Sequence, residues 1–400
     1  MASSRKNKTL FIDQEAVSAL TLMSNNILYP ATSLMNLAEV EDVIKTGLID
    51  NKSFPFPFIL APSGKRNQMV LETITNGEEV TLLSSNGEFA TLIVDETFKI
   101  TPSQRVKNIY GTDDLNHPGV KSTLRRLGTI SVSGKYKLLN NSKDINKQKI
   151  IDAKKRINAK HISSLFLAGN PLHRGHERLI RQTLETTDLL VVFLLKPNDY
   201  EELNKTINYK TREKALRFFV DNFLPKNKVV IIPLDNSYIF GGYNEIILDA
   251  IVAKNYGCNR LSIGANHAGL SMFYDDNLNK SIIDKIIGID IDIDIVSEYV
   301  YCDECTTLVS KNTCPHGQHH QISYHADSIL ELFNLGILPP AVLVRKEISA
   351  IILADIFPNR FKNLEKLYYD ILPVEGILQR HSEKDFYLEL MKLYQTTSLT

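Results

Sequence analysis

From about residue 160 the chain alternates short apolar runs with amphipathic segments of helical period. The strands are predicted at "SSLFLAG", "DLLVVFLLK", "KVVIIPL" and "RLSIGA", and a helical pattern lies between each pair. This alternation predicts an α/β fold built on a doubly wound parallel sheet. Ligands of such sheets bind at the carboxyl ends of the strands. The stretch "LFLAGNPLHRGHERLIRQ" (residues 165–182) lies at one such end, and "IGANHAG" lies at another.

The residues on either side follow other patterns. Residues 1–158 read mainly as strands and turns, with a hairpin signal at Asn86-Gly87 and a short helix closed by Gly47. A segment rich in lysine and asparagine follows, which we interpret as a linker or connecting helix. We therefore expect three parts: a β-rich domain over 1–158, an α/β domain over 159–325 and a helical region over 326–400.

The charge balance excludes several classes of function. Lys plus Arg and Asp plus Glu both total 46, and hydrophobic residues make up 43% of the 400 residues. A balanced chain does not indicate nucleic-acid or membrane binding. The N-terminus lacks the apolar run of a signal peptide, and no stretch approaches the roughly 20 apolar residues of a membrane helix. We expect a cytoplasmic protein, whose four cysteines then favour metal binding or free thiols over disulfides.

Two histidines flank a glycine where the first α/β strand gives way to a helix: His173, Gly175 and His176. A helix N-terminus presents unpaired amides and a partial positive charge, so it is suited to binding phosphate. Gly175 would allow close approach by a flat group such as adenine, and both imidazoles can donate to phosphoryl oxygens. The alternatives are a capped helix with two neighbouring histidines, or a zinc pair, which we favour less because no third ligand lies nearby.

His-x-Gly-His after a first strand is the signature of the nucleotidyltransferase superfamily that shares its fold with class I aminoacyl-tRNA synthetases. More specifically, the chain resembles ATP sulfurylase (sulfate adenylyltransferase). The resemblance covers nearly the whole chain in family order, through "YGTDDLNHPGV", "ISVSGKYKLL", "NPLHRGHE", "AKNYGCNRLSIGANHAG" and "LPPAVLVRKEISAIIL". It implies a PUA-like N-terminal domain, a Rossmann-like nucleotidyltransferase domain and a small helical C-terminal region, with a possible homo-oligomer.

The resemblance also implies a reaction. ATP and sulfate give adenosine 5′-phosphosulfate and pyrophosphate, or the reverse, by in-line attack on the α-phosphorus, with Mg²⁺ and no covalent intermediate. By matching position, the triphosphate would be held by Asn170, His173 and His176. The nucleotide loop would contain Gly264, Asn266, His267 and Ala268, and Gly175 would also contact the nucleotide.

The chain departs from the family at its anion-binding positions. The family's Q-T-R-N-P is Leu167–Pro171 here, its G-R-D-H-A-G is Gly264–Gly269, and its Y-A-G-P-R-E is Phe240–Glu245. The family's I-S-G-T is Ile322–His325. Arginines that hold an oxyanion bidentately are therefore missing. The possible substitutes are Arg174, Arg178, Arg212 and Arg345. Two alternatives stay open: a related nucleotidyltransferase with another acceptor, or a catalytically silent homologue.

The segment "YCDECTTLVSKNTCPHGQHHQ" carries an independent signal. Cys302, Cys305 and Cys314, followed by nearby histidines, form a set typical of tetrahedral Zn²⁺. For the fourth ligand we favour His319 or His320 over His316, because a ligand directly after Cys-Pro leaves little chain to turn back. Four protein ligands would make the site closed and structural. The alternative is three reduced thiols in a surface loop.

Overall fold

The computed structural model describes residues 8–139, 145–196, 206–235, 244–264, 282–374, 376 and 378–393. These residues divide into two compact units. Of the described residues, the first unit contains 8–139, 145–164, 234–235, 244–264 and 282–294, and the second contains 165–196, 206–233 and those from 295 onward. No helix in this described part of the chain has the length and apolar content needed to span a bilayer.

The described helices and strands alternate in the order that the hydrophobic pattern predicts. The helices are α1 (Gln14–Ser24), α2 (Leu37–Thr46), α3 (Lys65–Leu71), α4 (Pro102–Tyr110), α5 (Pro118–Arg126), α6 (Ile145–Ile157), α7 (Arg174–Glu185), α8 (Tyr209–Phe223), α9 (Glu245–Asn255), α10 (Ala326–Asn334), α11 (Lys346–Ile356), α12 (Arg360–Ile371) and α13 (Glu383–Lys392). The strands are β1 (Lys8–Phe11), β2 (Leu48–Ile49), β3 (Lys52–Ser53), β4 (Leu60–Pro62), β5 (Glu79–Ser84), β6 (Gly87–Lys99), β7 (Leu127–Leu138), β8 (Ile162–Leu167), β9 (Leu189–Leu195), β10 (Val229–Leu234), β11 (Arg260–Gly264), β12 (Asp292–Val296), β13 (Tyr299–Cys302), β14 (Thr307–Ser310) and β15 (Gln321–Ile322).

The first unit contains a five-stranded sheet in the order β1-β5-β6-β7-β4. β1 runs parallel to β5, whereas the β5–β6, β6–β7 and β4–β7 pairs are antiparallel. Ser84 pairs with Gly87, so the predicted hairpin turn is confirmed. α2 ends at Gly47, which adopts the left-handed conformation with φ of 67°, as the sequence predicts.

The first unit also contains α/β elements that follow this sheet in the chain. β11 pairs in parallel with the first part of β8, with Leu261 opposite Ser164. The side chain of Asn259 fixes the start of β8, because it accepts from the Ile162 amide at 2.8 Å and donates to the Lys160 carbonyl at 2.7 Å. In α9, Asn255 donates to the carbonyls of Ile27 and Tyr29. Side-chain amides therefore join these elements to the N-terminal part of the same unit.

The second unit is organised around strands that are buried on both faces. β10, β9 and the later part of β8 lie in that order, and the apolar run of β9 is almost entirely inaccessible to solvent. Continuous apolar strands of this kind are typical of parallel sheets covered by helices. α11 packs against α8, α10 and α13, so the predicted helical C-terminal region contributes to the same core. The predicted α/β class is thus confirmed.

Candidate active site

β8 ends in a loop that delivers the two histidines to the start of α7. β8 is fully buried, and Gly169 follows it with φ of 60°, a left-handed conformation that favours glycine. The peptide bond between Asn170 and Pro171 is cis. His173 then caps α7 in an extended conformation, and His176 lies one turn into the helix. The loop predicted from the sequence therefore brings both histidines to one helix end.

The two imidazoles stack on each other. Their ring centroids lie 3.7 Å apart with an interplanar angle of 24°. The backbone amide of His173 donates to Nδ1 of His176 at 3.3 Å, so this nitrogen is unprotonated and the proton of the neutral ring belongs on Nε2. Nδ1 of His173 is buried and has no hydrogen-bond partner among the described residues.

Both histidines are neutral at physiological pH. Burial lowers the pKa of His176 to about 4. Burial, together with repulsion from His176, lowers the pKa of His173 well below its ordinary value. A neutral imidazole is a hydrogen-bond donor at one nitrogen and an acceptor at the other, so this pair offers directed polar contacts at the helix terminus.

Tyr324 occupies the space that we expected to be open beside Gly175. A Cβ at Gly175 would lie 2.3 Å from the Tyr324 hydroxyl and 3.1 Å from the His173 ring. The ring of Tyr324 meets that of His173 edge to face, with 5.4 Å between centroids. Burial raises the pKa of Tyr324 to about 12, against the effect of a backbone hydrogen bond from Gly175. Glycine is therefore needed here for packing against Tyr324, which sequence reasoning missed.

Asn170 and Arg212 join the loop after β8 to the segment that leads into α8. Oδ1 of Asn170 accepts from the Ile207 amide at 3.1 Å. Arg212 is 1% exposed and donates from Nε to the Ile207 carbonyl at 2.7 Å and from Nη1 to the Ala168 carbonyl at 3.5 Å. The guanidinium of Arg212 is thus used on backbone carbonyls, which fixes the loop that follows β8.

Two other candidate arginines are held by a buried carboxylate on α7. Glu177, only 3% exposed, accepts from Arg345 at 3.1 and 2.7 Å and from Arg174 at 3.4 Å. Arg174 also donates from Nε to the Ala341 carbonyl, and its backbone amide donates to the Leu343 carbonyl. Glu177 therefore anchors α7, a role that sequence reasoning missed.

The second predicted nucleotide loop lies mostly outside the described residues. Gly264 ends β11 in the first unit, and a Cβ placed there would meet nothing within 4 Å. Asn266, His267 and Ala268 fall in a stretch that is not described, as do Phe240 to Tyr243. Their expected roles stay predictions.

Cys302, Cys305 and Cys314 form a compact group in the second unit, with His316 as its fourth member. β13 pairs with β14 and β15, and this small sheet carries the segment. Nδ1 of His316 lies 3.5 Å from Sγ of Cys302, 3.3 Å from Cys305 and 3.6 Å from Cys314. Four ligand atoms, one from each residue, lie within 4.8 Å of one another.

The favoured histidines, His319 and His320, lie outside this group. They form a 3-10 turn with Gln318, and Nδ1 of His320 is 2.8 Å from an oxygen of Asp303. The preference for them assumed that the chain after Cys314 is too short to turn back. His316 faces the sulfurs with Nδ1, the ring nitrogen next to the Cβ attachment, so a short return is enough. Among the three histidines of the segment, His316 is the one that lies with the three sulfurs.

Comparison with known proteins agrees with this fold. The family model described as ATP-sulfurylase matches residues 143–355, and that of a PUA-like domain matches residues 1–141. The sulfate adenylyltransferase of Halothermothrix orenii is 25% identical over 355 residues, covering 86% of this chain and 91% of the relative. That of Carboxydothermus hydrogenoformans is 29% identical over 285 residues, covering 69% and 74%.

A solved structure supports the fold. The hexameric APS kinase from Thiobacillus denitrificans matches with a TM-score of 0.63 and 17% identity over 88% of this chain. The match spans 63% of that protein, which is less than two thirds of its length.

A parallel α/β arrangement with His-x-Gly-His at the start of its first helix defines a nucleotidyltransferase. More closely, the chain belongs to the ATP-sulfurylase family and carries that family's PUA-like domain at its N-terminus. Its function is sulfate adenylyltransferase-like.

Proposed function

We propose that this protein transfers the AMP part of ATP to sulfate, giving adenosine 5′-phosphosulfate and pyrophosphate, or catalyses the reverse reaction. A sulfate oxygen attacks the α-phosphorus, the bond from that phosphorus to the bridging oxygen breaks, and pyrophosphate leaves with its electron pair. The observation that carries the proposal is the stacked neutral pair His173 and His176 at the head of α7, in a chain of this family. Such a step needs positioning and charge stabilisation rather than a covalent intermediate.

The residues of the loop have distinct parts in this proposal. His176, with Nδ1 occupied by a backbone amide, donates from Nε2 to a phosphoryl oxygen. His173 donates beside it, and Asn170 fixes the loop through Ile207 and offers its amide nitrogen to the triphosphate. Mg²⁺ bound with ATP would supply positive charge to the phosphates.

A second candidate is transfer to an acceptor other than sulfate. Arg174, Arg212 and Arg345 all donate hydrogen bonds to acceptors within the protein. Three of the four guanidinium groups that the sequence offered as substitutes for the family's sulfate ligands are therefore largely engaged in holding the fold. This observation favours an acceptor that needs fewer cationic contacts.

Pyrophosphate release from ATP and Mg²⁺ separates the candidates. The purified full-length protein is assayed with sulfate, with a panel of other oxyanions, and with none. Release that depends on sulfate supports the first candidate, whereas release with another acceptor alone supports the second. His173→Ala is expected to lower the rate at least about 100-fold with little loss of stability. Wild-type rates in that variant would remove the histidines from the proposal, and failure to bind ATP would favour a silent homologue.

We further propose that Cys302, Cys305, Cys314 and His316 hold one structural Zn²⁺. Tetrahedral ligands at Zn–S distances near 2.3 Å lie about 3.8 Å apart, and Sγ of Cys305 and Cys314 are separated by 4.0 Å. The amide of Cys305 donates to Sγ of Cys302, and Gln321 donates to the carbonyl of His316. These two hydrogen bonds hold the residues of the group in position from outside the set of ligand atoms.

The zinc proposal is tested by elemental analysis of the metal-replete protein and of two matched variants. The wild type should hold about one zinc per chain, and His316→Ala should lose most of it. His319→Ala, a neighbouring exposed histidine outside the group, should keep it. Retention in His316→Ala with loss in His319→Ala would reverse the ligand assignment, and a wild type without zinc would refute the site.

A further inference from the structure

A pocket of about 200 Å³ lies against α7 on the side turned away from His176. Its wall contains the four arginines Arg174, Arg178, Arg181 and Arg345. The three arginines of α7 are spaced by four and three residues, so they share one helix face. His176 is two residues from both Arg174 and Arg178, and two residues turn a helix by about 200°. The pocket is therefore separate from the site that the histidines form.

The pocket carries an excess of three positive charges. Among its lining residues, Glu177 is the single carboxylate, and it is already bound by Arg345 and Arg174. Burial lowers the pKa of Arg174, and the nearby charge of Arg345 lowers it further, whereas Glu177 and Glu347 act in the opposite direction. Cations crowded in a concave surface attract an anion that can contact several of them at once.

Guanidinium N–H groups in this pocket remain available to a ligand. Arg178 is exposed and has no hydrogen bond or ion pair within the described residues. Arg181 donates from Nη2 to the Phe223 carbonyl at 2.7 Å and lies over the ring of Phe219. Arg345 lies 3.7 Å from the ring centroid of Phe223. The partly fixed side chains of Arg181 and Arg345 lose less entropy when an anion binds than fully mobile ones would.

The cysteine segment supplies the opposite wall. Thr306 and Thr307 both line the pocket, directly after Cys305. The hydroxyl of Thr306 is used on the Cys305 carbonyl at 2.8 Å. Thr307 begins β14 and adds a neutral hydroxyl donor to the charged donors of the helix. Hydroxyl and guanidinium donors in one cavity form a donor set suited to a tetrahedral oxyanion.

We propose that this pocket binds a doubly charged tetrahedral oxyanion of the sulfate and phosphate class, on the face of α7 turned away from His176. Nothing in the proposal depends on the reaction described above, since it rests on Arg178, Arg181 and their neighbours alone. An anion held here touches α7, the segment before α11 and the cysteine hairpin together. It therefore stabilises the helix that carries the histidines.

Isothermal titration calorimetry on the full-length protein tests the proposal. Inorganic sulfate and inorganic phosphate are titrated separately, with chloride used to keep the ionic strength constant. We expect binding to the wild type, and a dissociation constant about tenfold weaker in Arg178→Ala because one charge-assisted contact is lost. Arg217→Ala is the matched control, since this arginine is also exposed on a helix but pairs with Glu213 away from the pocket.

The variants also distinguish this pocket from the histidine site. His176→Asn should leave sulfate and phosphate binding unchanged, even if it abolishes pyrophosphate release. Wild-type affinity in Arg178→Ala, or equal weakening in Arg217→Ala, would overturn the proposal. So would a wild type that binds neither anion above the chloride background. Preference for one anion over the other identifies the source of the bound group without affecting the assignment of the pocket.

Discussion

At the scale of single residues, the chemistry of the site depends on which polar atoms of each side chain are not already hydrogen-bonded within the protein. His176 has one ring nitrogen committed to a backbone amide, so its other nitrogen is the donor. His173 keeps a buried Nδ1 without a partner in the described part of the chain. A buried polar atom without a partner costs free energy, and in native proteins it often marks a functional group. The two histidines are therefore not equivalent, although the motif treats them alike.

The low pKa of His176 predicts a stability that depends on pH. The folded state keeps the ring neutral to about pH 4, whereas the unfolded chain protonates it near pH 6.5. Its contribution is therefore complete above about pH 6.5 and is lost as the pH falls toward 4. We expect the wild type to lose about 2 kcal/mol from this residue between pH 7.5 and 5.0, measured by urea unfolding. His176→Asn, which keeps an acceptor for the His173 amide, should lose less.

The matched control is His325→Asn, because His325 is exposed and caps α10 without a side-chain hydrogen bond. Its unfolding free energy should change with pH as the wild type's does. Equal pH dependence in the wild type and His176→Asn would contradict a buried neutral imidazole at this position.

The contact between Gly175 and Tyr324 predicts that a substitution at one position is partly compensated by a substitution at the other. Gly175→Ala places a methyl group 2.3 Å from the Tyr324 hydroxyl, so the expected gain in helix propensity is outweighed. We expect a loss of about 1–3 kcal/mol in thermal or urea unfolding, together with weaker ATP binding. Tyr324→Phe in the same chain removes the hydroxyl and should restore part of both. If Gly175→Ala is as stable as the wild type, Tyr324 does not fill this space.

At the scale of elements, α7 connects the proposed chemistry to the core. It starts at the end of a fully buried strand, and one buried carboxylate ties it to the segment before α11. Its hydrophobic period was enough to predict the helix, and His-x-Gly-His was enough to predict that two histidines lie together at its start. The use of its arginines was not predictable, because a charged residue on a helix has the same spacing whether it faces solvent, an ion pair or a pocket. The fourth member of the cysteine group was not predictable for a similar reason: spacing does not tell which ring nitrogen faces the sulfurs.

The buried ion pair on α7 predicts a contrast between two glutamates. Glu177→Gln leaves the guanidinium of Arg345 without its carboxylate in a side chain that is 14% exposed. We expect a loss of roughly 3 kcal/mol of unfolding free energy and a lower rate of pyrophosphate release, because the helix carrying the histidines is no longer anchored. Glu213→Gln breaks an exposed pair with Arg217 on α8 and should cost less than about 1 kcal/mol. Similar losses in the two variants would show that the buried pair does not anchor α7.

At the scale of the whole molecule, the order of elements was readable because each part has its own hydrophobic period. A hydrophobic period of two residues predicted the β-rich N-terminal part, and apolar runs between amphipathic helices predicted the α/β part. The acceptor was not readable. The arginines offered as substitute anion ligands have partners far apart in sequence, such as Arg212 with Ala168 and Arg345 with Glu177, so spacing along the chain does not show whether they face an acceptor. A chain can therefore keep its family's fold and nucleotide motif while its anion contacts change.

Isotope exchange tests the proposed course of the reaction in the complete protein. If sulfate attacks the α-phosphorus directly, labelled pyrophosphate enters ATP only when the acceptor is also present, because no enzyme-bound AMP forms on its own. A neutral imidazole of the stacked pair, such as that of His173, is an alternative nucleophile in the described site. Exchange without any acceptor would mean that an imidazole takes the AMP group, and His173→Ala would then abolish it. Exchange that depends on sulfate would mean that the histidines only position and stabilise the phosphates.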